Sequence, residues 1–367
     1  MIRICQVMGY MNGGGVESVV MNYYRCINHD MYQFDFIVCE GSTHIPREEI
    51  EGLGGRVFLV PDYSDLGRYR AALRRLFQEE GWEIVHSHMN ALSIFSLSVA
   101  EEVNIPVRIA HSHTSTGKGE FLKSLIKNIL RLQSNRYPTH KVACSEHAGK
   151  WLFGNKASFS LIPNSVDLEA FRFDASMREK VRLALGVKID QLVIGHIGRF
   201  APQKNHAFLL EVFEKVLNLV PDAVLVLVGD GPLMEDVKEK VSEKGITQSV
   251  VFLGNCQDTM ALYSSFDLFC LPSLYEGLPM VGVECQASGI PILASDEVTR
   301  EAAATSLMEF ESLSSNPEIW ARHLIGMKGM SLDESDRRTI IKFDIHHNAR
   351  LLEDFYSMCM EDSRGAN

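Results

Sequence analysis

The chain has 367 residues, of which 46% are hydrophobic and 23% charged, and a formal net charge of −11. That length exceeds one ordinary core and suits two domains of about 170 residues, while the composition is that of a soluble globular protein. The acidic balance argues against a general nucleic-acid binder, no apolar run approaches the ~20 residues of a membrane span, and eight cysteines scattered singly form no Cys-x-x-Cys pair and no Cys/His cluster at zinc spacing.

Residues 2–7 read as a first strand rather than a signal peptide, which implies a cytoplasmic or membrane-peripheral protein. The strand runs into Gly9-Tyr10-Met11-Asn12-Gly13-Gly14-Gly15 ahead of a helical pattern over 18–27. The G-x-G-x-x-G spacing is absent, so a nicotinamide enzyme is disfavoured, and three adjacent glycines let backbone approach a ligand closely. A connecting turn is the plain reading for Asn12 and Glu17. Short apolar runs at 34–38, 57–59, 84–86, 107–110, 141–144 and 160–162 alternate with amphipathic segments such as 66–79 and 91–103. Such alternation implies a parallel sheet covered by helices on both faces, with Cys5 and Cys39 as reduced core residues. His86-Ser87-His88 and His111-Ser112-His113 each end a strand, and no carboxylate at i,i+3 or i,i+4 supports a metal site there.

Residues 118–141 carry Lys118, Lys123, Lys127, Arg131, Arg136 and Lys141 among apolar residues, opposed only by Glu120. Two readings stand for this basic amphipathic stretch: a helix lying on anionic lipid, or a helix packed on the sheet with a solvated basic face. Pro163-Asn164 closes the seventh strand, and 167–174 is the natural connection between domains.

A second alternation begins with a buried strand at 192–197 that runs into Gly198-Arg199-Phe200-Ala201-Pro202-Gln203-Lys204-Asn205. Ligands of open α/β sheets bind at strand carboxyl ends, and a pyrophosphate suits an Arg fork with a Lys point charge. The strand at 223–228 ends in Gly229-Asp230-Gly231-Pro232, a second tight turn before a helix. Then come Glu276-Gly277-Leu278-Pro279-Met280-Val281-Gly282-Val283-Glu284. Pro279 suits the first helical position, which leaves Glu276 and the Gly277 and Leu278 amides just outside a helix N-terminus that attracts anions. One acid that accepts sugar hydroxyls, amides for a phosphate and a second acid for a ribose describe a nucleotide-sugar site. By itself Glu-Gly-Leu-Pro could equally be an ordinary strand-loop-helix corner. The tail reads as a strand at 310–313, a helix at 317–326 and a terminal helix at 345–360.

The ordered set of these motifs, with Ile162-Pro163-Asn164-Ser165-Val166-Asp167 and Ala287-Ser288-Gly289-Ile290-Pro291, resembles the retaining glycosyltransferases of family 4 over nearly the whole chain. The resemblance implies an α/β GT-B fold of two Rossmann-like doubly wound parallel-sheet domains facing across a cleft, at 1–167 and 168–343, with a helix at 344–367 crossing back to the first. It implies Gly13, Gly14, Gly15, Gly277, Leu278 and Glu284 as donor-binding residues, and His113, Glu276, Arg199 and Lys204 as catalytic ones. His113 is preferred because His113-Thr114-Ser115-Thr116 is similar to the matching segment of phosphatidylinositol mannosyltransferases; His111 is the second candidate. With no Asp-x-Asp, no metal or other cofactor is expected.

The function so implied is transfer of a sugar from a nucleotide-sugar donor, a uridine diphosphate sugar, to a saccharide or lipid-linked saccharide in exopolysaccharide or capsule synthesis. The partners are that donor and acceptor, with no nucleic acid, and with anionic membrane if the basic stretch lies on lipid. Residues 294–301 depart from the family's glycine-rich turn and look like its polysaccharide-synthesis branch. The rival expectations are a nucleotide-sugar epimerase of the same fold and a non-catalytic sugar-nucleotide sensor.

Overall fold

The computed structural model describes residues 1–113, 130–256 and 259–365. The chain divides into two compact units, Met1–Ser165 with Ile345–Asn367, and Val166–Asp344.

The first unit is built on strands β1 Ile2–Gly9, β2 Tyr32–Cys39, β3 Arg56–Val60, β4 Ile84–Ser87, β5 Val107–Ser112, β6 His140–Ala143 and β7 Ser160–Leu161. They pair in parallel in the order β3-β2-β1-β4-β5-β6-β7. All eight residues of β2 are buried, as expected of a strand covered on both faces. Asp35 is tolerated there because Arg56 reaches it at 2.6 Å and the Trp82 indole N–H at 2.8 Å. The terminal helix Ile345–Gly365 belongs to this unit. It buries Ile345, Asn348, Leu352, Phe355, Tyr356 and Cys359 along one stripe, and the Asn348 amide donates to Ser165 Oγ at 2.8 Å.

The second unit holds β8 Val193–Ile197, β9 Val224–Val228, β10 Val250–Gly254, β11 Leu268–Leu271, β12 Ile292–Ser295 and β13 Met308–Glu311. These too are all parallel, ordered β10-β9-β8-β11-β12-β13. Val-Leu-Val-Leu-Val of β9 is wholly buried, and its Leu225 and Leu227 share one apolar core with Phe200, Leu209, Phe213 and Trp320.

In each sheet the order reverses once, between β1 and β4 and between β8 and β11. At such a point the two flanking loops leave the carboxyl edge in opposite directions and open a crevice between them, where open α/β sheets bind ligands. The glycine loop follows β1. The Arg199 and Glu276 loops follow β8 and β11, so those two loops are neighbours although more than seventy residues separate them in the chain.

Candidate functional site

In the second unit the loops after β8 and β11 are tied together by side chains. Lys204 Nζ donates to Glu276 Oε1 at 2.8 Å, and the Gln203 amide donates to Glu276 Oε2 at 3.1 Å and to the Tyr275 carbonyl at 3.0 Å. The Gln203 carbonyl in turn accepts the Leu274 amide at 2.8 Å. Both oxygens of Glu276, a residue only 8% exposed, are thus oriented by donors, which fixes its plane. Gly198 makes room for this: a Cβ there would lie 2.8 Å from Lys204 Cε, so the lysine stem would have to shift. Arg199 is exposed, and among the described residues no acid pairs with it. Of the two cations expected to meet a pyrophosphate, Lys204 is therefore committed to Glu276, and Arg199 is the one open to an anion.

The helix after this loop runs Met280–Ala287, with Pro279 at its N-cap. Proline stands one position earlier than the sequence pattern placed it, because its ψ of 121° is still extended. Gly277 and Leu278 are buried just before that end. Glu276 also makes a parallel bridge with Val298, which sets the divergent 294–301 segment directly beside the acid. Glu284, one turn into the helix, is partly accessible and accepts a short hydrogen bond from the buried Tyr263 hydroxyl on Oε2. Desolvation pushes its carboxyl up to about 7, against the Tyr263 bond and the Lys204 charge, which both lower it.

In the first unit Gly13, Gly14 and Gly15 are exposed after β1, and Gly13 takes φ +79°. Two of their amides are occupied: Gly13 N–H and Gly14 N–H donate to Glu17 Oε2 at 2.6 and 2.8 Å. A glutamate in the first turn reaching back to the cap backbone is half of a capping box. The plain-turn reading of Glu17 is replaced by this one: its carboxylate sits where an anion would bind the loop.

The four histidines lie at alternate positions of adjacent parallel strands, hence on one sheet face. Their rings pack with centroids 3.9 Å apart for His111 and His113 and 4.2 Å for His86 and His88. His88 Nδ1 is 2.8 Å from His113 Nε2, His86 Nε2 is 3.1 Å from His111 Nδ1, His88 Nε2 is 2.8 Å from Gln6 Oε1, and His86 Nδ1 is 2.8 Å from the Tyr356 hydroxyl. Gln6 also donates to Tyr356 at 3.2 Å, so one amide joins the two histidine pairs. The rings, Gln6, Tyr23 and Tyr356 line one internal cavity. Burial holds His86 down at about 3 and His113 at about 4, and drives His88 and His111 well below the usual imidazole range, each helped by the neighbouring rings or, for His113, opposed by Asn164.

Of the ring of His113, the residue expected to face the sugar, Nε2 is therefore taken by His88. Its backbone N–H donates to Asn90 Oδ1 at 2.9 Å, and its carbonyl accepts the Cys144 thiol at 3.3 Å. His86, His88 and His111 form the one grouping among the described residues whose ligand atoms converge within 4.8 Å. In this structure those rings are instead hydrogen-bonded to one another, Gln6 and Tyr356.

Residues 114–116 and the basic positions Lys118, Lys123 and Lys127 lie outside the described residues. Arg131, from the same stretch, donates to the Trp151 carbonyl at 3.0 Å and stacks over that indole at 5.7 Å, a packing role. No helix of the described residues is long and apolar enough to cross a membrane.

Comparison with known proteins places these features. Residues 13–170 match the family described as Glycosyltransferase Family 4, and residues 177–303 match Glycosyl transferases group 1. The protein named as glycosyltransferase EpsF in Bacillus subtilis (strain 168) is 34% identical, covering 98% of this chain and 97% of that one. The chain belongs to the glycosyltransferases. Another relative of this glycosyltransferase, at 27% identity over 80% of this chain and 79% of its own, is named UDP-Gal:alpha-D-GlcNAc-diphosphoundecaprenol alpha-1,3-galactosyltransferase of Escherichia coli. Among solved structures, Anabaena Alr3699/HepE in complex with UDP and glucose superposes with a TM-score of 0.80 at 17% identity, over 96% of this chain and 99% of that one. The fold is the GT-B α/β fold, with two Rossmann-like halves of seven and six parallel strands.

Three side chains of this glycosyltransferase escape sequence reasoning. Gln203 lies inside a quoted motif without an assigned part, and Tyr263 lies in an apolar run that reads as core. Tyr356 meets the histidines through the terminal helix. Glu17 had a signal, its position three residues into a helix after an uncapped glycine.

Proposed function

We propose that this glycosyltransferase moves a sugar from a uridine diphosphate donor to a saccharide or lipid-linked saccharide acceptor, with retention of anomeric configuration, without a metal, in exopolysaccharide or capsule synthesis. The observation that carries the reading is Glu276 with both oxygens oriented by Lys204 and Gln203, beside a helix N-terminus and a second acid, at the point where the strand order reverses. A fixed carboxylate accepts hydrogen bonds from sugar hydroxyls, and Glu284 accepts those of a ribose. The choice of uridine is supported by the donor in the Escherichia coli relative's name and by UDP in the Anabaena complex. The same relative's name also supports a lipid diphosphate-linked acceptor.

In this reaction the bond between the anomeric carbon and the phosphate oxygen breaks, and its electron pair leaves on the nucleoside diphosphate. The acceptor oxygen attacks from the same face, and its proton passes to the departing phosphate. Arg199 and the Gly277 and Leu278 amides stabilise the charge that grows on that phosphate, a contribution realised mainly as the bond breaks. Glu276 and Glu284 act by binding and are not the acid and nucleophile of a hydrolase. The test is release of UDP from uridine diphosphate sugars in the presence of membrane lipid extract, with and without EDTA. The wild type is expected to release UDP equally in both, and Glu276→Ala to lose at least ~100-fold, the scale of a lost charge-binding group. Release that requires a divalent cation, or survives in Glu276→Ala, would refute the assignment.

A further inference from the structure

We propose that Tyr263 is a positioning residue for nucleotide recognition, holding the Glu284 carboxylate by one oxygen so that the other meets the ribose hydroxyls of a nucleoside diphosphate. The inference rests on the reading of Glu284 as the ribose-binding acid. Tyr263 is fully buried, its ring wedged among Phe171, Phe266 and Phe269 at centroid distances of 5.4, 6.0 and 6.4 Å. A phenol so confined cannot swing away, and its hydroxyl donates to Glu284 Oε2. Glu284 Oε1 accepts no hydrogen bond from the described residues, and the residue is partly accessible. The carboxylate is therefore anchored on its inner oxygen and presented on its outer one.

The anchor also sets the charge. Two vicinal ribose hydroxyls are donors, so they need the ionised carboxylate as acceptor. With its carboxyl pushed up to about 7, Glu284 is only about half ionised at neutral pH. A phenol that donates to the charged form favours it, and burial pushes the Tyr263 hydroxyl well above its ordinary value, so it remains a donor throughout. Removing the hydroxyl moves Glu284 further toward the neutral acid, which accepts poorly.

The experiment is calorimetric titration of UDP and of 2′,3′-dideoxyuridine diphosphate into the wild type, Tyr263→Phe, Glu284→Gln and the double variant, between pH 6 and 8. Phenylalanine keeps the ring packing, and melting curves verify folding. Tyr263→Phe is expected to bind UDP about tenfold more weakly at pH 7, the scale of a lost hydrogen bond to a charged group. The acidic fall in its affinity should move to higher pH. Toward the dideoxy compound it should match the wild type, and adding Tyr263→Phe to Glu284→Gln should change nothing further. Wild-type UDP affinity and pH dependence in Tyr263→Phe, alongside weakened binding in Glu284→Gln, would overturn the role of Tyr263 and leave the donor reading intact. A wild type that binds UDP and the dideoxy compound equally, or binds neither, would overturn the ribose assignment and this inference with it.

Discussion

Four neutral imidazoles buried in the first unit make its stability steeply dependent on pH. A histidine whose imidazolium is disfavoured in the fold binds its proton only in the unfolded chain, so stability rises with pH between the folded and unfolded pKa values and is lost as pH falls through that window. For His86, held at about 3, and His113, held at about 4, against an ordinary value near 6.5, the window spans pH 6.5 down to those values. At pH 5 each has lost about 2 kcal/mol relative to pH 7.5. For His86 and His113 together the loss is about 4 kcal/mol, a large fraction of the whole stability of a domain. His88 and His111, lowered well below the ordinary range by burial and by the neighbouring rings, act in the same direction. Glu17, raised by burial, works in the opposite direction and offsets part of it. Urea unfolding followed by circular dichroism at pH 7.5, 6 and 5 should show the transition of the first unit moving to much lower urea as the pH falls. A urea midpoint that stays constant between pH 7.5 and 5 would refute the reasoning, since it would require the rings to be protonated, and hence solvated, in the fold.

Lys204→Met should destabilise the second unit by about 3 kcal/mol in urea, because it leaves the buried Glu276 carboxylate without its cation. Gln203→Ala removes the donor on Glu276 Oε2, and should cut kcat/KM about tenfold with little change in stability, as read by initial rates and melting temperature. Gly198→Ala puts a methyl 2.8 Å from Lys204 Cε; it should displace the lysine, cost about 1–3 kcal/mol in thermal unfolding and lower activity in step with Lys204→Met.

The strands were legible because a strand covered on both faces is a continuous apolar run, as in residues 224–228, and because glycine turns punctuate each one. The two glutamates could be found from their spacing, since one helix carries the second and the loop before it the first. Their partners could not. Gln203 reaches Glu276 only because β8 and β11 are adjacent in the sheet, a fact of topology rather than of spacing. Tyr263 carries a polar atom on an aromatic body, and in an apolar stretch the body dominates the pattern. The histidine pairs were visible as strand ends, yet their mutual bonding through Gln6 and Tyr356 depends on strand register and on a helix from the far end of the chain. Alternate spacing puts the two members of each pair on one face; it does not say that the pairs share that face or that the face is interior.

The central claim is formation of a new glycoside from a nucleotide sugar, and product analysis tests it most directly. Wild type and Glu276→Ala would be incubated with uridine, guanosine and adenosine diphosphate sugars and membrane lipid extract, and the products resolved by mass spectrometry. The account predicts a new glycoside from a uridine diphosphate sugar, formed equally in EDTA and absent from the Glu276→Ala reaction. A donor that is only isomerised, or bound and left intact with every acceptor, would contradict it.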